Sequence, residues 1–274
     1  YGSDQWIWGR EFLSKYPESP RQLEVEKHGY DWMLWGRLGY DPFVTNERFT
    51  GILGARFPDT DAEKLFKAWQ HASMTYPLTT GFHWGPLDFQ WYIEACKGRS
   101  GFAQTETGFH DVNRFITLDP HPGTRNQSIP DYVDMIKAGG ETDLTTPVQV
   151  SETLHGHADR ALELLESLQA EKPSELWKTL QDIRCMAYLG KYYAYKIKGA
   201  VELHKFREID HHKKEHQRYS VQELTMAGIY WKMYAETAQS LYKNPLWTNR
   251  VGIVDWDQIY DWVMYDITIA KGAI

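Results

Sequence analysis

One stripe of side chains in the second half constrains this chain more than anything else in it. Leu176, Leu180, Ile183, Ala187, Gly190, Ala194, Ile197 and Val201 follow one another with gaps that alternate four and three. That spacing is one face of an α-helix and has no counterpart in a strand. Ser174, just after Pro173, supplies an N-cap hydroxyl, so a helix is predicted from about Ser174 to Val201. Ala187, Gly190 and Ala194 put small residues on the stripe, where a second helix can approach closely. Gly190 costs about 1 kcal/mol of helix propensity against Ala, and close packing is the compensation.

The flanking segments repeat the pattern. Ala158, Ala161, Leu162, Leu165 and Leu168 mark a shorter helix from about Ser151 to Ala170. Leu224, Ala227, Trp231, Tyr234, Ala238 and Leu241 form the inner face of a third, with Ser220 and Glu223 at capping-box spacing. Three amphipathic helices joined by short connections read as an antiparallel bundle. In the first half, residues 21–42 read as a helix ending near Gly39 and closed by Asp41-Pro42. Thr60 and Glu63 make another capping box before Leu65, Phe66 and Trp69. Between about Gly98 and Val150 periodicity nearly vanishes, apart from a short helix from Pro130 to Ala138 with Gly139-Gly140 at its exit. So long an irregular stretch suits a binding loop or a wrapping arm. The expected fold class is all-α, a helical bundle with long irregular loops.

The formal charge of −7 argues against a nucleic-acid binder working by phosphate neutralisation, and no stretch has the length of apolar sequence that spans a membrane. Cys96 and Cys185 are too few for a disulfide framework; Cys185 falls on the apolar side of a predicted helix, as a buried free thiol would. The aromatic share is 15%, with 12 Trp and 17 Tyr. Either the core is built on large rings, or rings face a ligand such as a sugar.

Chemistry-bearing clusters are few. His212 and His216 lie four apart on one helical face with Glu208 a turn earlier, a spacing compatible with a metal. The surroundings are saturated with Lys, Arg and Glu and no second His pair completes a shell, so no metal and no other cofactor is expected. Two Gly-Phe-His runs stand in predicted loops, one with His83 and Trp84, the other with His110, Asp111 and Arg114. Loop rings beside charged groups suit a binding surface, but equally rings that anchor irregular chain with His bonded to backbone. No phosphate loop, nucleophile elbow or Cys-x-x-Cys motif appears.

The stretch Trp32 to Pro42 resembles the W-x-x-F-G-R-L-x-(W/Y)-(N/D)-P passage of family 67 and family 115 α-glucuronidases and their relatives. Gly36, Arg37, Leu38 and Pro42 stand as in that passage, while Trp35 replaces its Phe. Residues 79–86, TTGFHWGP, are similar to the later H-H-x-G-P loop, with Trp84 in place of a second His. The match spans the first third of the chain at motif level and continues only as an all-helical pattern. The resemblance implies the helical domain that follows a (β/α)8 barrel, with residues 1–12 as the remnant of a last barrel strand and 13–274 as the domain itself. Barrel strands carry active-site residues at their carboxyl ends. Asp4, Trp6, Trp8 and Arg10 would then reach substrate, unless Trp6 and Trp8 pack on the bundle instead. The acid and base of those families lie on earlier strands, so no catalytic residue carries over.

Taken with the loops, the implied substrate-binding set is Asp4, Trp6, Trp8, Arg10, His83, Trp84, His110, Asp111 and Arg114. The implied partners are a poly- or oligosaccharide, the upstream barrel, and a second copy in a homodimer, with a periplasmic or secreted location if the whole is a bacterial polysaccharide-degrading enzyme. The isolated chain would be inactive. A free-standing all-α binding or interaction protein is the alternative.

Overall fold

The computed structural model describes residues 28–84, 91–98, 106–210, 212–248 and 251–272. Asp4, Trp6, Trp8, Arg10 and the boundary after residue 12 lie outside the described residues. In chain order come α1 (Gly29–Tyr40), α2 (Asn46–Arg56), α3 (Ala62–Ser73) and α4 (Thr75–Phe82). A hairpin of β1 (Trp91–Tyr92) and β2 (Lys97–Gly98) precedes α5 (Val112–Thr117), α6 (Ile129–Lys137), α7 (Pro147–Glu166), α8 (Glu175–Glu208) and α9 (Lys213–Leu241). A second hairpin, β3 (Leu246–Thr248) with β4 (Gly252–Val254), leads into α10 (Trp256–Ala270). The fold is all-α: both hairpins are short antiparallel pairs.

The predicted stripe became α8, capped as expected: Ser174 Oγ accepts from Trp177 N at 3.1 Å. It is the axis of the molecule, with α7 and α9 along its flanks and α3, α4, α5 and α6 also against it. Two cores meet on it. One gathers Tyr192, Tyr193 and Trp231 with residues of α5, α9 and α10; the other gathers Leu53, Leu65, Leu165 and Ile183 from α2, α3, α7 and the first turns of α8. Because α8 is wrapped on nearly every side, even Lys178, Lys191 and Lys196 are buried along it.

Gly190 meets the expected close approach. A Cβ there would stand 2.6 Å from Thr75 Oγ1, at the start of α4, and 3.5 Å from Ala158 Cβ on α7. Gly199 plays the same part toward α9, where Leu224 Cγ would lie 2.7 Å from an added Cβ. Cys96 and Cys185 are buried free thiols.

Three local expectations need correction. The cap of α3 is Asp61, whose carboxylate accepts from Lys64 N at 3.0 Å, and not Thr60. Ser220 does not open α9, which starts two turns earlier; its hydroxyl instead donates to Gly199 O at 2.8 Å, tying α9 to α8. Residues 98–150 hold more order than their sequence shows, because α5 and the capped start of α7 fall inside them. The short helix near Pro130 is present as α6, with Ser128 as its cap and Gly139 at φ +67 beyond its end.

Candidate functional site

Four of the loop candidates come together. His83 ends α4, His110 follows β2, and Asp111 and Arg114 sit at the start of α5. His83 Nε2 and His110 Nδ1 are 2.8 Å apart, and both side chains are buried. The His83 ring stacks on Phe115 at 3.8 Å and 9°; the His110 ring stacks on Trp91 at 4.7 Å and 21°. The hairpin holds His110 in place: His110 N donates to Cys96 O at 2.8 Å, and Gly98 N donates to Gly108 O at 2.7 Å. Gly108, at φ +78, has no room for a side chain, since a Cβ would stand 2.3 Å from Gly98 O.

Beneath this pair lies an ion pair that sequence reasoning missed. Lys196 Nζ donates to Asp266 Oδ2 at 2.6 Å with both side chains out of solvent. Asp266 Oδ1 accepts from Val112 N at 2.7 Å, so α10 fixes the backbone that carries His110 and Asp111. The ammonium lies 4.4 Å from the Phe109 ring centroid and 5.0 Å from that of Phe115. The nearest sequence signal is a Lys flanked by Tyr195 and Ile197 in the middle of the stripe-bearing helix, and an Asp directly before Ile267.

Burial governs the electrostatics. It pushes His110 down to about 3, with Arg114 and Lys196 adding to the shift. It holds His83 well below the usual imidazole range, helped by His110, Lys196 and Arg114. Both rings are therefore neutral near pH 7, and one donates to the other. His83 Nδ1 is buried with no hydrogen-bond partner among the described residues. An orphaned lone pair costs less than an orphaned N–H, which assigns the bonding proton to His83 Nε2 and makes His110 Nδ1 the acceptor. Burial lifts Asp266 to about 6 against the opposing pull of Lys196.

Both rings are buried and stacked on, so in this arrangement His83 and His110 clasp the loops together. Asp111 caps α5 by accepting from Arg114 N at 2.8 Å, and its carboxylate lies near the Arg114 and Arg207 guanidiniums. Trp84 stands apart from the pair, partly exposed, with its ring edge-on to His121 at 4.2 Å. A shallow cleft of 590 Å³ lies elsewhere, where Asp143, Thr145 and Glu152 line the approach to α7. The two histidines with metal spacing diverge: His216 Nδ1 is 2.6 Å from Glu202 on α8, and His212 Nδ1 is 2.9 Å from Glu215. Among the described residues no three His, Cys, Asp or Glu side chains gather as a metal shell.

A second histidine pair joins α3 to α7, His71 Nδ1 to His157 Nδ1 at 2.9 Å, and burial followed by His157 lowers His71. A group whose folded pKa is depressed binds fewer protons folded than unfolded, so its stabilisation is lost as pH falls. His83, His110, His71 and His155 (about 4) all act in this sense below about pH 6.5, each by at most about 1.4 kcal/mol per pH unit. Asp266 acts oppositely between 3.8 and about 6, since its raised pKa favours the folded state at lower pH. The histidines outnumber it. The melting temperature is expected to fall steadily from pH 7 to pH 4.5, and a flat profile would show that the pairs are not buried as described.

No family model matches the chain, and no curated protein matches it. Among solved structures, a GH138 enzyme targeting pectin rhamnogalacturonan II superposes with a TM-score of 0.73 at 14% identity, over 98% of this chain. The chain spans 41% of that protein's length. At this identity the likeness establishes the fold alone, an all-α arrangement shared with part of that enzyme, and it does not carry the chain to families 67 or 115 specifically.

Proposed function

We propose that this chain is the helical domain of a glycan-degrading hydrolase, supporting a (β/α)8 barrel and lending loop residues to the glycan, without turnover of its own. The observation that carries the reading is the superposition of nearly the whole chain on less than half of a glycoside hydrolase. The motif carrying the α-glucuronidase resemblance supports it from another side. On and just after α1, Trp35 is 66% exposed, Tyr40 94% and Phe43 88%, rings of a size that proteins seldom leave together in water unless another surface covers them. A preceding domain is the natural cover. On this reading the glycan contacts are Trp84, Asp111 and Arg114, which reach the surface, while His83 and His110 hold their loops in place.

Glycoside hydrolysis usually needs two carboxyl groups flanking the scissile bond, and the loop carboxylate Asp111 is already occupied as a helix cap. The purified chain is expected to release no product from aryl-glycosides, glucuronoxylan fragments or rhamnogalacturonan II fragments. Turnover lost on substituting Asp4 or Asp111 would contradict this. Trp84→Ala is expected to weaken glycan binding and leave the melting temperature unchanged, because the ring packs on a loop and not in either core.

A further inference from the structure

Between α7 and α9, one face of α8 carries polar groups outside the His83–His110 cluster. Tyr188, Lys191, Tyr195 and Lys198 follow at helical spacing, and the first three meet Tyr230 of α9. The rings of Tyr195 and Tyr230 stack at 5.4 Å and 15°, with Tyr188 6.4 Å from Tyr230. Lys191 is buried beneath them, its Nζ 5.5 Å and 5.9 Å from the two stacked centroids. Asp159 of α7 holds that ammonium at 2.6 Å, with its own side chain 62% exposed. This is a rigid frame: two stacked rings locked from below by a fixed cation, spanning the seam of three helices.

The polar ends of the groups at the rim of the frame make no hydrogen bond or ion pair among the described residues. The three tyrosines are partly exposed, and among the described residues no protein group pairs with their hydroxyls. Lys198, one turn beyond Tyr195, has no ion pair among the described residues. Its charge is felt on both sides of the seam: it adds to the burial that lowers His155 on α7 and opposes the burial that raises Glu223 on α9. Glu223 Oε2 is buried and likewise lacks a hydrogen-bond partner among the described residues. Three partly exposed phenols that donate or accept and one ammonium outside any ion pair among the described residues match a ligand dense in hydroxyls that also carries negative charge. A protein docked here would have to desolvate all of these groups.

We propose that this face is a saccharide-binding surface for a carboxylate-bearing glycan. Lys198 receives the carboxylate, and the hydroxyls of Tyr188, Tyr195 and Tyr230 bond to sugar hydroxyls. The proposal rests on the reading of the chain as part of a glycan-degrading hydrolase, and it adds a second contact surface away from the Trp84 loop.

The test is calorimetric titration of the full chain at low salt with an oligogalacturonide and with its neutral methyl ester. Binding of the acid form, weaker for the ester, is expected. Tyr195→Phe and Tyr230→Phe keep the ring stack and remove only the hydroxyls. Each should reduce affinity roughly three- to tenfold, the scale of one hydrogen bond, with an unchanged melting temperature. Lys198→Met should remove the preference for the acid form. Equal affinity in all three variants would overturn the proposal. If Trp84→Ala alone abolished binding, the hydrolase reading would stand and this surface would fall. No binding of either saccharide by the wild-type chain would also overturn it, with the hydrolase reading still open to its own genomic test. So would hydrogen-exchange protection of Tyr188 to Lys198 that appears only when further protein is attached and never with saccharide, since that pattern belongs to domain docking.

Discussion

Replacing Lys196 with Met is expected to destabilise the fold by about 3–5 kcal/mol, the cost of leaving a buried charge without its partner. Lys196 and Asp266 are both buried, and Asp266 also accepts the Val112 N–H that begins α5. Without the ammonium, the Asp266 carboxylate sits among Phe109, Phe115 and Tyr192 with one backbone donor left. Its pKa, already raised by burial to about 6, would rise further. A raised carboxyl pKa means stability is lost as pH rises through it, so the damage should be larger at pH 8 than at pH 5. The double variant Lys196→Met with Asp266→Asn should recover much of the loss, since the Asn carbonyl still accepts from Val112 N. Thermal melts at the two pH values check all three expectations, and a single variant as stable as wild type at pH 8 would show that the pair is not buried.

Gly190→Leu is the second large effect. Overpacking a close contact typically costs about 1–3 kcal/mol, and more where the neighbours cannot move. At Gly190 the first obstacle is Thr75 Oγ1, 2.6 Å from an added Cβ and held by its own bond to Met186 O at 3.0 Å. Even Gly190→Ala should destabilise, although it gains about 1 kcal/mol of helix propensity. Gly156 on the exposed side of α7 is the control, because nothing lies within 4 Å of an added Cβ there. Gly156→Ala should therefore stabilise by up to about 1 kcal/mol. If both Ala variants shifted the melting temperature equally, the close approach of α4 and α7 to α8 would be wrong.

What was legible in the sequence, and what was not, follows from the range of the interactions. The four-three stripe predicted α8 and the tight contact at Gly190, since helix periodicity and residue size are local properties. Caps were readable only when the side chain had no better partner. Ser174 caps its helix as read, whereas Ser220 bonds to Gly199 O on the neighbouring helix, so the same residue type carries two meanings. The charged run before Ser220 suits a solvated helix face or an interhelical turn equally, and it is helical from Lys213, with His216 tied to Glu202. The clasp of His83 and His110 joins residues 27 apart, and Lys196 with Asp266 joins residues 70 apart. No local pattern encodes either pairing. The sequence left the loop histidines open between binding surface and loop anchor, and the structure buries both as a clasp between their loops.

The most direct test of the central claim is to read the genomic DNA upstream of the codon for Tyr1. An in-frame coding region of several hundred codons whose product alternates strand and helix as a (β/α)8 barrel is the expected result. A start codon immediately before Tyr1, with no such region in frame, would contradict the hydrolase-domain reading and leave a free-standing helical binding protein.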